Sequence, residues 1–232
     1  MRPVNRGNRP TEGDGSKLEF KRYQDARDSL RKRIGDYCSY CEICLHSRMD
    51  VEHIQPKSLR PSLELEWDNF LLACPICNAI KSDTNVDLDD YFWPDRDNTA
   101  LVFLYDTDAP PRINPGLSRV HAEMAARSLD LTGLDRVPGQ KKYSERDLRW
   151  LKRNEAWGIA LLLHENLKSH DTPEMRNAIV LTAISRGFWS VWMQVFQDDI
   201  EMRKLLINGF LGTAAECFDN KTRPVRRRDG KV

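Results

Sequence analysis

The chain lacks a long apolar run, a surplus of charge, an internal repeat and a phosphate-loop motif, and each absence narrows its class. No stretch approaches the roughly 20 apolar residues that a bilayer span needs. The opening Met1-Arg-Pro-Val-Asn-Arg also has none of the apolar middle of a secretory signal. A soluble cytoplasmic protein is expected. With 36 basic and 35 acidic residues, net +1, the molecule is no polycation, so any contact with nucleic acid has to be local. Without a GxxxxGK[ST] loop, nucleotide hydrolysis would have to come from another subunit.

What is present is concentrated between residues 38 and 81. Six cysteines occur in 232 residues, and in a reducing compartment their paired spacing points to metal rather than disulfides. Cys38-Ser-Tyr-Cys41 and Cys74-Pro-Ile-Cys77 are CxxC turns, each able to place two thiolates on one side of a tetrahedral zinc. Cys44 follows Cys41 closely enough that a Cys41/Cys44 pair is an alternative. Cys217 reads as a plain thiol.

Between the two turns lie Glu52-His53 and Asn69, with Asn78 directly after the last paired cysteine. A hard cation such as Mg2+ prefers oxygen ligands, so one carboxylate and one amide oxygen are a sufficient protein share. Adjacent strand residues face opposite ways, however, so Glu52 and His53 can serve one site only where the strand ends. Each residue also has a plainer reading: His53 as a core histidine, Asn69 as a turn cap, Lys81 as a solvated helix lysine.

The order CxxC, Glu-His-Ile-x-Pro, Asn, CxxCN-x-x-Lys resembles the HNH endonucleases, the ββα-metal class in which a hairpin and a helix hold one divalent ion. Members commonly write the first pair Cys-x-Tyr-Cys, which favours Cys38/Cys41. The resemblance implies His53 as general base, Asn69 as its positioning partner, and Glu52 and Asn78 as ligands of a catalytic Mg2+ or Mn2+. It also implies structural Zn2+ on Cys38, Cys41, Cys74 and Cys77, and a phosphate contact for Lys81. Asn78 stands where the family's third letter is often His. Pro56-Lys-Ser58, Trp67 to Cys74, Tyr91 to Asp95 and Gly187 to Trp192 are similar to the HNH subunits of Septu-type antiphage systems. That narrower likeness implies an ABC-like ATPase partner and nucleic acid, DNA favoured, as substrate. A non-catalytic zinc-ribbon adaptor and an RNA-cleaving toxin are the rival readings.

The fold expected is α+β, a ββα-metal HNH core with a four-cysteine zinc site followed by a mainly α-helical C-terminal region. Residues 1–16 read as a flexible basic tail, 17–110 as the nuclease domain with a leading helix from Ser16 to Ile34, 111–218 as a helical region and 219–232 as a second basic tail. Leu101 to Tyr105 reads as a strand. Helices are expected over 118–129 and 144–168, the latter with Leu148, Leu151, Ile159 and Leu162 as its apolar side. A further helix from Thr172-Pro173 carries an apolar stripe to Val195, and another follows Asp198 or Asp199. Trp150, Trp157, Trp189 and Trp192 are either core or a docking surface for the partner.

Overall fold

The computed structural model describes residues 1–45 and 49–232. Its first residues correct the expectation of a loose tail. Arg2 is 3 % exposed and donates to the carbonyls of Ile34 (2.8 Å), Phe210 (3.1 Å) and Leu211 (2.9 Å). Those carbonyls lie at or just past the ends of helices, where no intrahelical donor reaches them; Thr213 also serves Phe210 O, while the guanidinium supplies the donors for Ile34 O and Leu211 O. Val4 N bonds Pro94 O at 2.7 Å, and Trp67 Nε1 bonds Gly7 O at 2.9 Å. The leading helix is shorter than expected. Ser16 bonds Asp14 instead of capping, and a 3-10 turn at Tyr23–Ala26 leads into α1 (Arg27–Ile34), which stops at Gly35.

The centre of the molecule is a hairpin and a helix. β1 (Asp50–His53) pairs antiparallel with β2 (Phe70–Ala73) in a register that sets His53 opposite Phe70 and Glu52 opposite Leu71. β2 reads Phe-Leu-Leu-Ala and is buried throughout. α2 (Pro75–Lys81) follows at once: Cys74 Sγ accepts from Cys77 N at 3.4 Å and Pro75 occupies the first turn, where its missing N–H costs nothing. A second small pair joins β3 (Phe103–Leu104) to β4 (Arg112–Ile113). The strand expected over 101–105 is shorter because Thr99–Leu101 forms a 3-10 turn.

α3 (Arg119–Thr132) begins where Ser118 Oγ accepts from His121 N and ends at the left-handed Gly133. In α4 (Arg149–Ser169) only Ile159 of the expected apolar side packs against the core. Leu148 just before it, Leu151 and Leu162 are 49 %, 49 % and 62 % exposed, while Arg149, Arg153, Ala156, Trp157 and Ala160 are buried. Small side chains on the inner side let α4 lie close to its neighbours, and Leu151, Leu161 and Leu162 are left outside.

α5 (Pro173–Arg186) is capped by Thr172, and the stripe expected to run through to Val195 is interrupted at Gly187 and Phe188 before α6 (Trp189–Val195). Gly187 has φ +76°, and a Cβ there would collide with Glu42 O and Cys44 N. Only glycine permits this approach, and Phe188 N bonds Glu42 O at 2.9 Å across it. α7 (Ile200–Gly209) is capped by Asp199. Trp157, Trp189 and Trp192 are at most 5 % exposed, so they belong to the core and not to a docking face.

The second tail is also packed. Asn98 N bonds Val232 O, Lys231 lies 3.7 Å from Asp97, and Arg227 donates to Val4 O at 3.0 Å. Hairpin, helices and both chain ends thus share one core. Among the described residues no helix is long and apolar enough to cross a membrane.

Candidate active site and cysteine cluster

Local folding brings the two CxxC turns together. Cys38, Cys41, Cys74 and Cys77 are buried, and their sulfurs all lie within 4.8 Å of one another, with Cys41 and Cys74 3.7 Å apart. Tetrahedral zinc with Zn–S of about 2.3 Å sets its sulfurs about 3.8 Å apart, so the donor set fits zinc. Its chemistry fits too. Burial and the neighbouring sulfurs hold Cys41 and Cys77 well above the ordinary thiol range. Despite burial, hydrogen bonds from the other three sulfurs hold Cys38 well below it. Four thiolates can coexist here only with a cation among them. Cys44 lies outside this group.

The hairpin sorts the remaining site residues by strand alternation. Asp50 and Glu52 face α2, where Asn78 and Lys81 stand one turn apart. Asn78 Nδ2 donates to Asp50 Oδ2 at 3.2 Å, leaving the Asn78 carbonyl oxygen available. Glu52 is 3 % exposed and makes an ion pair with Lys81 at 2.7 Å. Burial pushes the Glu52 carboxyl up to about 7 against the pull of Lys81. Lys81 is fully buried and also donates to His53 O at 2.8 Å, so it braces the strand and does not face a phosphate. Asp50 stands beside Asn78 although the sequence does not single it out; its alternation with Glu52 is the signal that could have found it.

His53 faces the other side of β1. Its ring packs edge-on to Tyr23 (centroids 4.8 Å apart) and Phe70 (5.3 Å). Nε2 lies 3.0 Å from Glu64 O. A carbonyl only accepts, so Nε2 carries the proton and Nδ1 is the basic nitrogen. Burial, with a smaller contribution from Lys57, lowers the imidazole below its ordinary value. Lys57 Nζ sits over the Tyr23 ring and 2.9 Å from Glu64 Oε1.

Asn69 makes no bond to His53 itself. Its amide accepts from Gln55 N (2.8 Å) and donates to Gln55 O (2.9 Å) and Leu63 O (3.3 Å). It therefore fastens the loop whose next residue, Glu64, holds the histidine. The direct hold on His53 expected of Asn69 is not seen; its bonds go to the loop.

Residues 38–84, the stretch that carries both CxxC turns, His53, Asn69 and Asn78, match the family model of the HNH endonucleases. These residues form an HNH endonuclease domain. Within the HNH domain the hairpin of β1 and β2 followed by α2 is the ββα unit, and the cysteine cluster ties the segment before β1 to the start of α2. The chain is also 38 % identical over 56 residues to the Septu protein PtuB of Bacillus thuringiensis. That match covers 23 % of this chain and 22 % of PtuB, so the similarity spans about a fifth of the relative's length. The HNH domain is embedded in the rest of the fold: its first knuckle docks on the turn between α5 and α6, and Arg149 of α4 reaches Cys77.

Proposed function

We propose that the chain is a metal-dependent HNH endonuclease that hydrolyses phosphodiester bonds, with DNA the favoured substrate. The observation that carries this reading is the fixed tautomer of His53. With Nε2–H committed to Glu64 O, Nδ1 is left to take the proton of an attacking water, and a lowered pKa keeps it unprotonated near neutral pH. Asn69 keeps the Glu64 carbonyl in place by tying the 55–63 loop to itself.

Asn78, with the carboxylates of Asp50 and Glu52 beside it, would hold Mg2+ or Mn2+; β1 ends at His53, the strand end that the sharing of one phosphate by this ion and the His53 base requires. The Asp50 and Glu52 carboxylates and the Asn78 amide oxygen are the hard donors such a cation prefers, and the Lys81 ammonium paired with Glu52 is the charge it would have to share that carboxylate with. When bound, such an ion offsets the phosphate charge and stabilises the leaving oxygen. Lys81 keeps Glu52 facing α2 and holds the strand end through His53 O. The cysteine cluster holds zinc and serves structure, since four protein ligands leave no open position.

The likeness to PtuB and the absence of a phosphate loop support a role as the nuclease component of an antiphage defence complex with an ATPase subunit. The exposed leucines of α4 and α5, Leu151, Leu161, Leu162 and Leu181, offer such a subunit an apolar face. The test is cleavage of plasmid, linear DNA and RNA by zinc-loaded protein in Mg2+ or Mn2+, with and without the ATPase. Cleavage of DNA supports the reading and cleavage of RNA alone would make it a ribonuclease. Absence of all cleavage with ATPase present would favour a zinc-ribbon adaptor.

A further inference from the structure

Arg149 stands on the first turn of α4 with its side chain 4 % exposed, and all five guanidinium donors have acceptors. Nε and Nη2 grip the two Asp147 oxygens at 2.9 and 2.7 Å. Nη2 also donates to Gly133 O and Nη1 to Thr132 O, both at 2.9 Å. The remaining direction of Nη1 points at Cys77 Sγ, 3.1 Å away. Asp147 and the end of α3 therefore fix the plane of the guanidinium, and that plane delivers an N–H to a sulfur of the cluster.

A neutral thiol is a weak acceptor and a poor reason to bury an arginine. A thiolate bound to a divalent ion is a charged acceptor, and hydrogen bonds to charged acceptors are roughly twice as strong as neutral ones. Zn2+ with four thiolates carries two net negative charges in a buried place, where uncompensated charge is costly. One turn further along the same face, Arg153 is 2 % exposed, with Nε and Nη1 lacking any hydrogen-bond partner. α4 thus turns two buried cations inward, with Leu151, Leu161 and Leu162 outside.

We infer that Arg149 is a positioning residue of the zinc centre, holding the Cys77 thiolate by an N–H···S bond and thereby fastening the second CxxC knuckle to the helical region. The inference rests on the assignment of zinc to the four cysteines. Hydrogen bonds of this kind orient a metal ligand and withdraw electron density from it, and removing such partners typically weakens metal binding about 10- to 100-fold.

The test compares full-length wild type with Arg149→Lys, with Asp147→Asn, and with the double variant Asp147→Asn/Arg149→Met, in which neither charge is left unpaired. Each is assayed for zinc content, for zinc affinity by chelator competition, and for the thiolate-to-Co2+ charge-transfer absorption after cobalt substitution. In both Arg149 variants zinc affinity falls about 10- to 100-fold. The charge-transfer band moves to lower energy, because a sulfur without the hydrogen bond gives up its electrons more readily. Asp147→Asn leaves the donor to Sγ in place and the band unmoved, which separates the sulfur contact from general loosening. Arg149→Lys keeps a cation beside Asp147 and carries the test if the double variant does not fold. Wild type without zinc would refute the zinc assignment itself. Wild type with zinc, and Arg149 variants with the same band and affinity, would overturn the inference.

Discussion

Lys81 and Glu52 form an ion pair of 2.7 Å inside the protein, with side chains 0 % and 4 % exposed. Removing one partner of a buried pair strands the other charge, at a cost of about 3–5 kcal/mol. Lys81→Met is therefore expected to lower the unfolding free energy by that amount in urea titration. Lys81→Met/Glu52→Gln, which leaves no charge stranded, recovers most of it. A single-variant loss under about 1 kcal/mol, the ceiling for exposed pairs, would mean the pair is solvated.

Asn69→Ala leaves Gln55 N and Gln55 O without their partners, and each unsatisfied buried group costs about 1–3 kcal/mol. Cleavage should lose kcat with KM little changed, since the loop positions His53 and not the substrate. Glu64→Gln should keep near wild-type kcat, because the group that holds His53 is the main-chain carbonyl. A kcat for Asn69→Ala equal to wild type would remove this residue from the account.

These contacts show what a linear reading could and could not reach. The four cysteines were legible because CxxC is a local geometry, complete within each turn. The ββα order was legible in the same stretch, through its resemblance to the HNH motif. Glu64 was not, because its contribution is a carbonyl that every residue carries. Asp50 was passed over because only the hairpin's alternation pairs it with Asn78. α4 misled through composition: counting leucines gives an apolar side, yet the face turned inward was chosen by Asp147, the α3 end and the cysteine cluster, all outside the helix itself. The two basic ends were misread for a related reason. Arg2 and Arg227 satisfy main-chain carbonyls at 34, 210 and 4, contacts that no composition rule contains.

The pH dependence follows from the direction of the His53 shift. Its folded value is held below 6.5, first by burial and further by Lys57, so the neutral base predominates at pH 7. The rate should rise along an acid limb centred below pH 6.5 and be level near neutrality. Lys57→Gln removes a repelling charge and should move that limb to higher pH. Stability from this group runs the same way: protonation is disfavoured in the folded state, so stability is lost as pH falls below 6.5. An acid limb unmoved in Lys57→Gln would contradict the assignment of the limb to His53.

Zinc should be inseparable from folding, since binding free energy at a structural site is folding free energy. Cys74→Ser is expected to purify with little zinc and a markedly lower Tm, because Cys74 also caps α2. Cys44→Ser, outside the sulfur group, should keep wild-type zinc content. Metal analysis beside thermal unfolding checks both, and zinc loss in Cys44→Ser would exchange the ligand roles of Cys38 and Cys44.

The central claim is that His53 Nδ1 is the general base of a phosphodiesterase. The most direct measurement is the first-order rate of DNA cleavage in Mg2+ or Mn2+ by zinc-replete wild type and His53→Ala, at about pH 7.5 and with zinc content and fold verified in each. A general base contributes about 10²- to 10⁴-fold, so the variant should fall by at least that lower factor while retaining wild-type zinc and Tm to within a few degrees. Cleavage by His53→Ala at the wild-type rate would contradict the account.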